Sequence, residues 1–219
     1  MRRHFKKNLL SLLGLGVFLF LALGSLPNTN KNNQPPRPAK HAAGTTTYTN
    51  SRSDFKGKLA DNYVDFTFDY PSSWKRKDAG KADSPNFVKV ENGTSDNFTI
   101  ENFAVGYFTG QSELMPKLAD QVSEQFSHSF PEYKKVSQGE TKVGPYDGYE
   151  FRFTAHVADS SRGDVDVWGR CILLPGDKER KGAALIMLAS SIGNEVKGPE
   201  DVGEKGELPT ILNSFKFGD

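Results

Sequence analysis

VDFTFDYPSSW, residues 64–74, decides how the rest of the chain is read. Val64, Phe66, Phe68 and Tyr70 alternate with Asp65, Thr67 and Asp69, the two-residue period of a strand with one buried face, and Pro71, Ser72 and Ser73 then turn the chain before Trp74. Toward the C-terminus the same period recurs in residues 86–91 and 98–108, joined through Asn92-Gly93, a dipeptide that suits the positive φ of a hairpin turn. The apolar phase slips between Ile100 and Phe103, which predicts a β-bulge near Glu101 and Asn102.

A helix interrupts the strands. Met115, Leu118, Val122 and Phe126 recur at three- and four-residue intervals, giving one apolar stripe from Glu113 to Ser129, with Ser112 placed to cap it and Pro131 to end it. Strands are predicted again over residues 134–143, 149–157, 165–174 and 183–192. The last, AALIMLASSI, is apolar at both parities, as a central strand covered on both faces would be. A closing helix from Pro199 or Leu208 to Ser214 carries Leu208, Ile211 and Leu212, with Phe215 just beyond. Two helical layers on a mostly antiparallel sheet bury all of these stripes, so the fold class expected is α+β.

Upstream of this domain the chain changes character. MRRHFKK runs into an apolar stretch that reaches Leu26, and no acidic residue occurs before Asp54, the pattern of an export signal that holds its basic end in the cytoplasm. Leu9 to Leu26 as a helix would span roughly 27 Å, at the short end of a bilayer core, so length does not decide between a retained single-pass anchor and a cleaved signal peptide. Ala22 and Gly24 are small residues suitably placed for cleavage before Ser25. Residues 27–53, rich in Asn, Pro and Thr, read as a disordered polar linker, and residues 54–219 as one domain. The chain is therefore expected to be extracytoplasmic, either tethered by its N-terminal helix or secreted into a periplasm-like space.

Composition excludes some partners. A formal net charge of +1, with 36% hydrophobic and 25% charged residues, describes an ordinary globular chain and not a nucleic-acid binder. Cys171 is the sole cysteine, so the exported domain forms no internal disulfide and relies on packing.

FTFDYPSSW, the mid-chain amphipathic helix, GYEFRFTA, the paired segments VWGRCILLP and GAALIMLASS, and a terminal helix running into ILNSFKF together resemble the PsbP/Mog1/DcrB-like family. The resemblance covers about residues 54 to 219 and implies a three-layer α/β/α sandwich. Members of the family are generally small non-catalytic modules: extrinsic photosystem II subunits, nuclear transport cofactors and bacterial envelope lipoproteins. A binding or assembly role is therefore implied, and no catalytic residues are carried over. The chain departs from the lipoprotein pattern in having no cysteine at the end of its leader.

Little in the domain names a chemistry. No H-E-x-x-H, paired C-x-x-C, G-x-S-x-G or phosphate-binding glycine loop is present. Glu150, Arg152 and His156 share one strand face and form the best enzyme candidate, which a deep cleft would support; a solvated polar face is the simpler explanation of them. Asp159, Asp164 and Asp166 in the ADSSRGD hairpin are candidate ligands for a weakly held cation, although a calcium loop needs a fuller set of oxygens. Trp168 shares its parity with Asp166 and Arg170, so an open face there would display a large aromatic for partner contact. Three functions follow in order: a non-catalytic module contacting an envelope or membrane protein; a small-ligand or lipid carrier with a pocket lined by Phe103, Tyr107, Phe126 and Trp168; and a hydrolase-like enzyme. No cofactor is expected.

Overall fold

A computed structural model describes residues 44–77, 86–93, 99–160, 163–176 and 181–218. The leader and most of the linker, with their expected signal or anchor, lie outside the described residues. Among the described residues ten strands form two sheets: β1 (Thr45–Thr49), β2 (Phe66–Pro71), β3 (Lys75–Lys77), β4 (Asn86–Gly93), β5 (Thr99–Thr109), β6 (Lys134–Val143), β7 (Tyr146–Ser160), β8 (Gly163–Pro175), β9 (Lys181–Ser190) and β10 (Lys216–Phe217). The larger sheet has the order β3-β4-β5-β9-β8-β7-β6, and the smaller β1-β2-β10. Every pairing between these strands is antiparallel. Among the described residues three α-helices accompany them: α1 (Lys58–Asp61), α2 (Met115–Ser127) and α3 (Leu208–Ser214).

β9 occupies the middle of the seven-stranded sheet, between β5 and β8, and all of its residues from Gly182 to Ser190 are buried. Its two-parity apolar pattern follows from that position: one parity meets each covering layer. On one face α2 lays Met115, Leu118, Val122 and Phe126 over Phe151, Phe153 and Cys171. On the other, Phe66, Phe68 and Tyr70 of β2 pack with Tyr48, Phe103 and the α3 residues Leu208, Ile211 and Leu212. Phe68 meets Phe103 edge-on at 5.1 Å between ring centroids. Rings of this size, fully removed from water, each contribute on the order of 2–3 kcal/mol.

Several boundaries differ from the sequence reading. The expected second helical layer is instead a three-stranded sheet with the short helices α1 and α3. β1 lies inside the stretch read as linker: TTTYT has little to bury, but its backbone pairs with β2 from Thr45↔Pro71 to Thr49↔Thr67 and Tyr48 enters the core. Asn92 and Gly93 belong to β4 and pair with Glu101 and Thr99, so they are not the turn. The ladder is irregular at that step, where Ile100 is passed over, one residue before the bulge predicted at Glu101 and Asn102. Ser112 begins a 3₁₀ turn that leads into α2, and neither start has a side-chain cap.

The outer edge of β6 is exposed through most of its length. Lys134, Lys135 and Lys142, with an irregular register at Val136, blunt it as a template for further strands. Among the described residues no helix is long and apolar enough to cross a membrane.

Candidate functional site

Strands β7 and β8 place the candidate residues side by side. Glu150 pairs with Ile172, Arg152 with Arg170, Thr154 with Trp168 and His156 with Asp166, so the polar parities of both strands lie on the sheet face opposite α2. The two ends of this row have different surroundings.

At the inner end, Glu150, Arg152 and Arg170 form a closed charge cluster. Arg170 is 6% exposed. Its Nε donates to Glu150 Oε2 at 2.8 Å, its Nη1 to Glu204 Oε1 at 2.8 Å, and its Nη2 stands 2.6 Å from Glu150 Oε2. Arg152 donates from Nε to Glu150 Oε1 at 2.9 Å and from Nη1 to the carbonyls of Pro199, Glu200 and Val202 at 2.7, 3.1 and 3.2 Å. Burial is the largest influence on the Glu150 carboxyl and pushes it up, but Arg170 and Arg152 together outweigh it and hold the group below its usual range. Both guanidinium groups thus fasten the loop after β9 over the sheet. Val196 and Val202 of that loop join the core, and a 3₁₀ turn at Pro199–Asp201 presents its carbonyls to Arg152. The expected open face is therefore covered here, because the loop supplies the acceptors that two buried cations need.

At the outer end the row reaches water. His156 Nδ1 lies 2.8 Å from Asp166 Oδ1, with side chains 32% and 56% exposed. The hydrogen bond to Asp166 raises the His156 pKa, burial opposes the rise, and the charges of Asp166, Glu132 and Asp164 add to it. Asp166 is held on its backbone side by Ser191, whose Oγ accepts the Asp166 N–H at 3.0 Å and whose N–H donates to the Asp166 carbonyl at 2.9 Å. Asp164 is exposed beside it; Asp159 belongs to β7, but its side chain lies outside the described residues. Among the described residues no group of three or more His, Cys, Asp or Glu side chains could hold a metal ion.

Trp168 stands between the two ends, half-buried and packed against the core. Its parity is as read from the sequence, but it is not the fully displayed aromatic expected of an open face. The four residues expected to line a ligand pocket do not share one: Phe126 is a residue of α2 and packs on one face of the sheet, whereas Phe103, Tyr107 and Trp168 lie on the opposite side. A described groove, about 770 Å³, runs between the start of α2 and the β6–β7 hairpin. Glu113, Glu140, Lys142 and Asp147 line it together with Met115, Pro116, Tyr149 and Pro175. Sequence reasoning missed Glu204, whose only signal was an acidic residue in a glycine-rich loop, and Glu101, a carboxylate buried beside the irregular step of β5.

No protein-family model matches the chain, and no curated protein matches it. Solved structures similar to it include a protein of Bacteroides thetaiotaomicron, at 12% identity and a TM-score of 0.41, covering 70% of this chain. This chain spans only 45% of that protein. The solution structure of a cyanobacterial PsbP from Synechocystis is similar at 15% identity and a TM-score of 0.47, covering 90% of this chain and 99% of that one. LpqN, involved in cell envelope biogenesis of Mycobacterium tuberculosis, is similar at 7% identity and a TM-score of 0.46, covering 80% and 92%. The strand order and layers stand on this chain's own register and contacts, and no residue role is transferred.

Proposed function

We propose that this chain is a non-catalytic binding or assembly module that acts outside the cytoplasm, tethered or secreted through its N-terminal segment, and contacts another envelope or membrane-associated protein. The observation that carries the reading is the closure of the charged face: Glu150, Arg152 and Arg170 are bonded to one another and to the loop at Pro199–Glu204. Groups so committed serve the fold, since a catalytic acid, base or electrophile must reach a substrate. What the same strands leave accessible is His156 and Asp166, flanked by half-buried Trp168, and this outer end of the β7–β8 ribbon is the proposed contact surface. Arg152 and Arg170 are then supports of that surface. The domain itself is proposed to be the PsbP/Mog1-like unit behind a leader at residues 1–26.

The test is co-purification of a C-terminally tagged full chain from gently solubilised membranes, with the mature N-terminus sequenced on the same sample. A stoichiometric protein partner lost on Asp166→Arg supports the module and its contact surface. Recovery of the chain alone with a bound small molecule overturns the module in favour of a carrier. An intact Met1 identifies an anchor, and a start at Ser25 a cleaved signal.

A further inference from the structure

The edge of the seven-stranded sheet farthest from β6 is basic. β3 consists of Lys75, Arg76 and Lys77, all exposed. Lys75 lies opposite Glu91 of β4 and Lys77 opposite Lys89, so these four side chains share one sheet face and Arg76 lies on the other. Glu91 takes Lys77 and Lys89, each at 3.1 Å. Among the described residues it is the only carboxylate paired with this edge, and neither Lys75 nor Arg76 has a carboxylate partner. Arg76 instead stands over the ring of Tyr48, its Cζ 6.0 Å from the centroid.

The same edge is where the N-terminal chain enters the domain. The Gly44 carbonyl accepts the Ser72 N–H at 3.2 Å, the hydroxyls of Thr46 and Ser72 bond at 3.0 Å, and the Trp74 N–H closes a turn onto the Pro71 carbonyl that leads straight into Lys75. Tyr48, under Arg76, is the buried side chain of the first strand after that entry. Between the apolar stretch and Gly44 the sequence holds Lys31, Arg37 and Lys40 and no acid. Asp164 and Asp166 of the β7–β8 ribbon lie four to five strands away from β3, about 20–24 Å at the usual strand spacing. The domain therefore carries uncompensated cations beside the entry of its tether and these carboxylates toward the far edge.

We propose that the β3 edge docks on anionic lipid headgroups of the membrane that the N-terminal segment enters, which orients the domain and turns the His156–Asp166 surface away from the bilayer toward its protein partner. The inference rests on the tethered reading above. A flexible linker of the length of residues 27–43 spans about 20–25 Å, so the surface is within reach. Each Lys or Arg brought within a Debye length of an anionic surface shifts the docked-to-free ratio about fivefold.

Trace acetylation of the full chain with acetic anhydride, read lysine by lysine by mass spectrometry, tests the docking in vesicles of phosphatidylcholine alone and of phosphatidylcholine with phosphatidylglycerol. Lys75 and Lys77 are expected to lose about fivefold or more of their reactivity in the anionic vesicles and to regain it at high salt, whereas Lys142, on the opposite edge and 73% exposed, stays unchanged. Lys75→Glu with Arg76→Glu should abolish the protection of Lys77, and the unaltered chain carries the test even if that variant fails to fold. Equal reactivity in the two vesicles, or protection of Lys142 in step with Lys77, would overturn the docking. Protection in native membranes but in neither vesicle overturns it in favour of an acidic protein. Flotation of the same samples reports the tether separately. A chain that floats with phosphatidylcholine vesicles but shows equal lysine reactivity in both keeps the anchor and loses the docking. One that floats only with the anionic vesicles at low salt, with Lys75 and Lys77 protected, keeps the docking and loses the anchor.

Discussion

Replacing Arg170 by Met removes the cation that joins three elements while keeping an apolar side chain of similar length. Three strong contacts disappear, two to Glu150 and one to Glu204. Glu204 is 58% exposed and recovers its hydration, whereas Glu150, at 14%, keeps only Arg152 as a partner. Breaking a buried pair from one side costs about 3–5 kcal/mol, a large share of the roughly 5–15 kcal/mol that holds a domain together. The Glu150 carboxyl is held below its ordinary value in the folded protein, so its favourable contribution is present above the unfolded value and is lost as pH falls through the folded one. Urea denaturation of Arg170→Met against the unaltered chain should therefore show a deficit of about 3–5 kcal/mol at pH 7 that narrows toward pH 3. Adding Glu150→Gln should restore more than half of it, because the amide removes the buried anion while its oxygen still accepts from Arg152 Nε, whose Nη1 keeps the loop carbonyls. A deficit below about 1 kcal/mol at pH 7, or one that is equal at both pH values, would refute the argument. The cluster would then be ordinary packing.

Three further outcomes are expected. Gly169→Ala brings a Cβ within 2.1 Å of the Phe153 ring, which Phe126, Phe130 and Tyr133 already surround, so chemical denaturation should show a loss of about 1–3 kcal/mol that Phe153→Leu partly relieves. Burial pushes the Cys171 thiol far up, so the folded chain should resist alkylation at pH 8 and react only after denaturant is added. NMR titration should place the His156 pKa above the ordinary histidine value of 6.5 in the unaltered chain, and Asp166→Asn should bring it back down.

What the residues disclosed about the fold depended on whether the information was local. Alternation in residues 64–70 and the two-parity run of β9 report burial directly, and both elements lie where that pattern requires. β1 is different: Thr45, Thr46, Thr47 and Thr49 are exposed, and the reason for a strand there is the backbone of β2, which no inspection of TTTYT reveals. The same limit applied to the site. The parity of Asp166, Trp168 and Arg170 was legible, but the cover over Arg170 comes from a loop more than 20 residues onward whose glycines and acids carry no apolar period. Its docking depends on carbonyls offered to Arg152, a feature of backbone geometry and not of side-chain type. Glu101 was hidden for a related reason, since nothing in its neighbours announces that the amides of Glu207 and Leu208 arrive there from more than 100 residues away.

The position of β1 has a mechanical consequence. Among the described residues it is an edge strand bonded to β2 alone, and its ladder begins at Gly44, whose carbonyl accepts the Ser72 N–H at 3.2 Å, just before Thr45 opposite Pro71. Tension from that side loads the ladder from one end, so its bonds part in succession and not together. Tyr48 is the sole side chain of β1 that is buried. The strand can therefore peel away as a short extensible leash while the seven-stranded sheet, braced by α2 on its other face, bears no load until β1 is spent.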